Sequence, residues 1–289
     1  MTATEVSVPR AALWVGGWLS LMVTIAIAGR EAQSELAVFQ IMEMRSLIGL
    51  LLIAPMIVAA GGLAAMRTQR PRQHAARNLV HYAAQYGWFV ALTLIPLTQV
   101  VAIEFTMPIW SALLAAVFLK ERLNAWKVLA IALGVLGVVV IVRPATTGLS
   151  AGQGIALAAA VGFAVAVILV KSLTRTDSAL AIIFWMLVWQ SLLGLMPALW
   201  VWRWPSPTVW GWMLVVGFCG TFSHYCMARA LKHADATVVV PMDFVRVPLT
   251  ALAGWLVYAE RVDLLTALGV VLILAGNLLN LRRPAARQR

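Results

Sequence analysis

Apolar residues run along this chain in ten blocks, at 11–29, 38–60, 78–95, 98–119, 126–142, 152–170, 179–200, 209–228, 236–258 and 264–281, and most polar residues sit in the short joints between them. Each block approaches the roughly 20 residues that an α-helix needs to cross hydrocarbon. The pattern predicts an all-α integral membrane protein with ten transmembrane helices. The joints are brief, such as IPLT at 95–98 and KERLNAW at 120–126, so no length remains for a soluble domain.

The blocks also repeat. ALTLIPLTQVVAIEFTMPIWSALLAAVFLKER from Ala91 returns as ALKHADATVVVPMDFVRVPLTALAGWLVYAER from Ala230, a shift of 139 positions that carries Thr98 onto Thr237, Phe105 onto Phe244 and Glu121 onto Glu260. Gly137 falls on Gly276, and Gln85-Tyr86 falls on His224-Tyr225. With a small gap, the stretch from Arg45 to Leu51 meets the stretch from Gln190 to Met196. The chain therefore divides into two five-helix repeats, 1–143 and 144–289. Five crossings is an odd number, so the second repeat enters the bilayer from the opposite side and the two are inverted. Two similar bundles related by an axis in the membrane plane can exchange conformations, which is a means of carrying a solute by alternating access.

Composition strengthens the membrane reading: 62% of residues are hydrophobic, 11% are charged and the mean hydropathy is +0.90, against about 25% charged residues in soluble domains. The net charge of +11 arises from 22 Lys and Arg spread through the joints, with no basic stripe of the kind nucleic acid requires. With the N-terminus in the cytoplasm, 16 of these cations lie inside, Arg77 among them. Four (Arg30, Arg143, Arg203 and Arg261) lie outside, and Arg45 and Arg246 fall within spans. That asymmetry predicts a plasma (inner) membrane protein with both termini cytoplasmic.

Ala26-Ile27-Ala28 resembles a small-residue signal cleavage site, but the preceding apolar stretch is long for a signal peptide and its loss would leave 152–170 without a counterpart, so the first block is read as a helix. Cys219 and Cys226 lie seven residues apart in one block, about 10 Å along a helix, and cannot bridge each other there. No metalloprotease HExxH, phosphate-binding loop or GxSxG elbow occurs, so neither an enzyme nor a cofactor or metal is expected. Without an ATP site, energy for transport would come from a gradient of protons, ions or the solute.

The repeated ends Lys120-Glu121-Arg122 and Ala259-Glu260-Arg261, with Pro108 and Pro248 upstream of each glutamate, resemble the drug/metabolite transporter superfamily, EamA type. The resemblance covers essentially the whole chain. The stretches ProMetAspPheValArg at 241–246 and ArgThrGlnArgProArg at 67–72 further resemble a subgroup that includes S-adenosylmethionine and riboflavin carriers. The superfamily resemblance implies secondary transport of a small organic metabolite through a central cavity, its members differing in substrate and direction; polar aromatics in the third and eighth blocks suit an amino acid, nucleoside-like or heterocyclic compound, and export is the direction expected here over uptake. A lipid-handling or scaffold subunit is the alternative, resting on fold analogy alone.

Charges inside spans are costly and normally face a cavity or a partner. Glu104 lies about 9 Å into the fourth block and Asp243 occupies the matching place in the ninth, on opposite sides of the midplane. They suggest a cation or proton site that alternates between sides; equally, Arg246, three residues beyond Asp243, can neutralise it locally. Arg45 requires an anionic partner, either Glu104 or a substrate carboxylate or phosphate, unless it serves architecture. Gln85, Tyr86, His224 and Tyr225 are the preferred polar lining, while His81 and Tyr82 read as interfacial anchors. Trp110, Trp189 and Gln190 are secondary candidates, and Trp200, Trp202, Trp204, Trp210 and Trp212 read as an outer aromatic belt. Gly134, Gly137, Gly269 and Gly276 permit close helix approach, either within the monomer or, as the superfamily resemblance implies, in a homodimer through the last helix of each half.

Overall fold

A computed structural model describes residues 7–118, 125–143, 148–233, 239 and 242–280; the Lys120 to Arg122 motif, Pro241 and the C-terminal arginines lie outside the described residues. The first repeat comprises α1 (Val8–Ala32), α2 (Val38–Ala59), a short 3-10 turn (Gly62–Met66), α3 (Pro71–Leu94), α4 (Leu97–Glu104), α5 (Met107–Phe118) and α6 (Ala125–Val142). In the second lie α7 (Ala151–Leu173), α8 (Ala179–Trp200), α9 (Pro207–His233), α10 (Arg246–Tyr258) and α11 (Leu264–Asn280). The protein is an all-α membrane protein built from two inverted five-helix repeats. Six segments are long and apolar enough to cross a membrane on length and composition alone. Helix α3 is not among them, because Arg72, His74, Arg77, Asn78, His81 and Gln85 dilute its hydropathy.

Helix starts are locally encoded. Pro9 and Pro71 occupy the first turns of α1 and α3, where a missing N–H costs nothing. Ser150 and Gln153 form a reciprocal capping box at α7, and Ser178 Oγ accepts from Ala181 N at α8. Because α3 begins at Pro71 and not near residue 78, Arg77 stands inside a helix; it is not the loop cation expected from the sequence.

The fourth and ninth spans are broken, where unbroken runs were expected. Phe105 and Thr106 separate α4 from α5, and a turn at Phe244 and Val245 precedes α10. Proline explains both interruptions: Pro108 and Pro248 lack the N–H that would bond the carbonyls of Glu104 and Phe244 four residues back. In lipid the freed backbone groups must find partners. Asn277 Nδ2 on α11 donates to Phe105 O at 2.8 Å, Val247 N donates to Phe244 O at 3.2 Å, and Thr106 Oγ1 donates to Ile103 O at 2.6 Å. The symmetry-related Phe105 and Phe244 rings pack edge to face, 5.6 Å apart.

The principal helix contacts cross between the repeats: α1 on α9, α3 on α7, α2 on α8 and α6 on α11. Exchanging the halves maps the first two pairs onto each other and the last two onto themselves, so the repeats interlock. A Cβ built on Gly137 would stand 2.7 Å from Gly269 O, and one on Gly269 would stand 2.7 Å from Gly137 O. The glycines thus bring α6 and α11 into backbone contact within one chain. Between them, Arg143 donates to Asp263, whose Oδ1 also accepts from Thr266 N at the start of α11 at 2.8 Å.

Candidate functional site

A cavity of about 440 Å³ lies where the two repeats meet, lined by α1, α2, α3, the α4–α5 break, α7, α9 and the segment from Asp243 to Arg246. One wall is acidic. Arg246 Nη1 donates to Glu104 Oε1 at 2.9 Å, and its Nη2 and Nε lie 3.5 and 3.4 Å from the two Asp243 oxygens. Each carboxylate also receives an indole N–H: Trp88 Nε1 reaches Glu104 Oε2 at 2.8 Å, and Trp18 Nε1 reaches Asp243 Oδ1 at 2.6 Å. The guanidinium stacks over Phe105, 4.7 Å from the ring centre. Two acids share one arginine, so this wall keeps a formal charge of −1. Glu104 ends α4 and Arg246 begins α10, each at the helix end whose dipole disfavours its charge, and pairing offsets both penalties.

The opposite character is found where α2, α3 and α9 face the cavity. Arg45 Nη1 donates to Gln190 Oε1 at 3.1 Å and Nη2 to Gly220 O at 3.4 Å. Arg77 Nη1 donates to Asn78 Oδ1 at 2.5 Å. His81 and His224 complete this basic wall. With Gln190 Oε1 taken by Arg45, the Gln190 amide Nε2 faces His81 Nδ1 at 2.8 Å, which makes Nδ1 an acceptor and leaves the proton on Nε2.

Glu104, Gln85, His224, Asp243, Arg246 and Arg45 all line the cavity. Gln190 stands behind it, holding Arg45 and His81. Tyr86 packs on Phe39 with ring centres 4.5 Å apart, Tyr225 is exposed and packs edge-on against Trp14, and Trp110 donates to Thr106 Oγ1 in a separate small crevice. One expectation changes: Arg45 does not pair with Glu104, which Arg246 occupies, and that one guanidinium also joins Glu104 to Asp243 within the cavity.

Among the lining residues that escaped sequence reasoning are Trp18, Arg77, His81 and Trp88. For the three on α3 the signal was present. Residues 77, 81, 85 and 88 recur at intervals of four, four and three, a single stripe along α3, whereas Tyr82 and Tyr86 lie on the neighbouring face. His81 and Tyr82 are buried, in contrast to the interfacial anchors expected.

Beyond the cavity, two polar networks tie the ends of the bundle. At one end Arg30 Nη1 meets Glu260 Oε1 at 2.5 Å, Glu260 Oε2 accepts from Leu97 N at 2.9 Å, and Arg30 lies 4.2 Å over the Tyr258 ring. This latch joins α1, α4 and the end of α10. At the arginine-rich end, Asp177 accepts from Thr68 Oγ1 and faces His74 Nε2, both at 2.6 Å. Burial of Asp177 pushes its carboxyl up, but hydrogen bonds from His74, Thr68 and Thr176 outweigh this and hold it below the usual carboxylate range. Val170 and Met227 carry the cavity lining toward this end. Among the described residues, no three His, Cys, Asp or Glu side chains gather at metal-binding distance.

Comparison with known proteins places this geometry in context. The description of the EamA-like transporter family matches the chain twice, over residues 10–143 and 150–282. The chain is 25% identical over 240 residues to an S-adenosylmethionine uptake transporter of Rickettsia prowazekii (strain Madrid E), covering 83% of this chain and 81% of that one. It is 30% identical over 229 residues to a riboflavin transporter of Rhizobium johnstonii, covering 79% and 76%. A pseudopaline exporter, CntI, of Pseudomonas aeruginosa is 28% identical over 253 residues, covering 86% and 87%. A solved crystal structure superposes with a TM-score of 0.64 at 20% identity, over 93% of this chain and 95% of the other, which establishes the fold alone.

Proposed function

The chain belongs to the EamA-like transporter family, and on that premise we propose that it carries a small organic metabolite across the membrane by alternating access through the cavity between its repeats. The observation that carries this reading is the cavity itself: about 440 Å³, walled by both halves, with both helix breaks at its edge. Small-molecule sites typically enclose roughly 300–1,000 Å³, and broken helices at a repeat interface are where transporters place their ligands.

In this reading Glu104, Asp243 and Arg246 contact the solute, with Gln85, His224 and Arg45 on the facing side, while Tyr86, Tyr225 and Trp110 stay off the path. The repeats are taken as 1–143 and 144–289. We place both termini and the Arg67 to Arg72 loop in the cytoplasm of a cell whose plasma membrane holds the protein, from the cation asymmetry. The conformation described is then closed outside by the Arg30–Glu260 latch and extends inward past Val170. The similar proteins are named for both uptake and export; export is the direction assigned to this chain, driven by a gradient of the solute or of a coupled proton or ion.

Purified protein in liposomes tests the proposal. Loaded with a panel of amino acids, nucleosides, flavins and S-adenosylmethionine, these vesicles are expected to exchange at least one labelled solute faster than protein-free vesicles, with saturation. Flux that appears only when a second polypeptide is added would indicate a subunit in place of a carrier.

A further inference from the structure

Arg45 and Arg77 are 2% and 6% exposed, and neither makes an ion pair with any described residue. The Nε atoms of both are buried without a hydrogen-bond partner. A buried guanidinium is expensive in a membrane protein, and two on one wall with no carboxylate bonded to either repel each other as well. The acidic wall shows that this fold can supply partners when a charge is structural, for there each carboxylate has both an arginine and an indole N–H. On the basic wall the described partners of Arg45 and Arg77 are all neutral. Gly220 leaves room for Arg45, since a Cβ there would stand 2.4 Å from Arg45 Nε. Gln190 holds Arg45 and, by donating to His81 Nδ1, leaves the proton of this lining imidazole on Nε2.

We infer that Arg45 and Arg77, with the His81 Nε2–H, form an oxyanion subsite that receives a carboxylate or phosphate of the transported solute. Because the acidic wall of the same cavity retains one negative charge, the solute is a zwitterion: its anionic group lies at Arg45 and Arg77 and its cationic group at Glu104 and Asp243. This rests on the cavity being the transport site. It narrows the substrate class to metabolites bearing both charges, and sets aside neutral heterocycles and simple amines.

Equilibrium thermal unfolding of the full chain in nanodiscs tests the subsite without any need for the natural solute. Sodium acetate and sodium phosphate are titrated separately against sodium chloride at constant ionic strength. The expected result is a saturable rise in Tm for the wild type. Its half-saturating concentration is expected to increase at least tenfold in Arg45→Met and Arg77→Met and to stay unchanged in Asp263→Asn, which controls for general salting-out. Whichever anion saturates at the lower concentration identifies the group. In chloride alone, Arg77→Met is expected to melt at or above the wild-type temperature, because it removes an unpaired buried charge. The proposal is overturned if wild type and both arginine variants respond alike, including no response in any, or if Arg77→Met fails to fold. Saturable anion binding without solute flux in liposomes would sink the transport reading and leave the subsite standing; flux without anion binding would do the reverse.

Discussion

The two walls of the cavity solve the problem of buried charge in opposite ways. On the acidic wall Arg246 bridges Glu104 and Asp243, with Trp88 and Trp18 closing the remaining positions. On the basic wall Arg45 and Arg77 have only neutral partners. The first wall joins α4 to the start of α10 across the repeat interface and is therefore structural as well as chemical; the second is held in place by its neighbours and open toward the cavity. The arginine of the acidic wall is already ion-paired, whereas the two with only neutral partners project from α2 and α3.

Removing the bridge has the largest expected effect. Arg246→Ala strands two carboxylates, so stability is expected to fall by about 3–5 kcal/mol and flux to vanish. Melting in nanodiscs and liposome flux measure the two. A variant as stable as wild type would show that the pair does not hold this wall together.

Glu104→Gln sharpens the comparison by removing charge while keeping shape. The amide oxygen can still accept from Trp88, but the amide nitrogen then faces Arg246 Nη1 donor to donor, so Arg246 keeps only Asp243 and stability is expected to fall by about 1–3 kcal/mol, less than for Arg246→Ala. Transport, normalised to protein in the membrane, is expected to drop at least tenfold. Wild-type flux across the pH range would remove Glu104 from the mechanism.

Gly220→Ala probes the basic wall. Its new Cβ meets Arg45 Nε at 2.4 Å, and overpacking of this kind costs about 1–3 kcal/mol. Gly211→Ala on the same helix meets nothing within 4 Å and is expected to be neutral. Equal effects of the two on flux would remove Arg45 from the path.

Much of this arrangement is legible in the sequence because it depends on local pattern. The ten blocks, the shift of 139 positions and the acids at 104 and 243 all follow from spacing. What spacing hides is partnership. Nothing in the order of residues says that α1 packs on α9 or that Arg246 reaches Glu104, 142 positions away. Arg77 is obscured differently: it follows Arg67, Arg70 and Arg72 and reads as one more loop cation until Pro71 is recognised as the first residue of α3. Pro108 and Pro248 are visible as a repeated motif, yet an apolar run does not reveal that they break its helix.

The smallest expected effect lies away from both walls. The Arg143 hydrogen bond, with help from Thr266, lowers the Asp263 carboxyl from its ordinary 3.8 to about 2. A depressed folded-state pKa contributes stability above the unfolded value that disappears as pH falls through the folded one. Wild type is expected to lose a fraction of a kcal/mol between roughly pH 4 and pH 2 that Asp263→Asn does not lose, the carboxylate being half exposed. Melting curves of the two across that window make the comparison.

Alternation between two closed ends is the central claim, and thiol accessibility tests it most directly. In a chain with Cys219→Ala and Cys226→Ala, Ile25→Cys places a thiol in the cavity lining on α1, the helix that carries latch residue Arg30, and Val170→Cys places one toward the arginine-rich end. With the latch intact, a membrane-impermeant reagent is expected to label Val170→Cys from inside and to leave Ile25→Cys unlabelled from outside. Adding Glu260→Gln breaks the latch, and is expected to raise labelling at Ile25 from outside while lowering it at Val170 from inside, since a shift between two states must move both. Labelling of both positions from one side, unchanged by Glu260→Gln, would contradict alternating access and leave a static pore or scaffold.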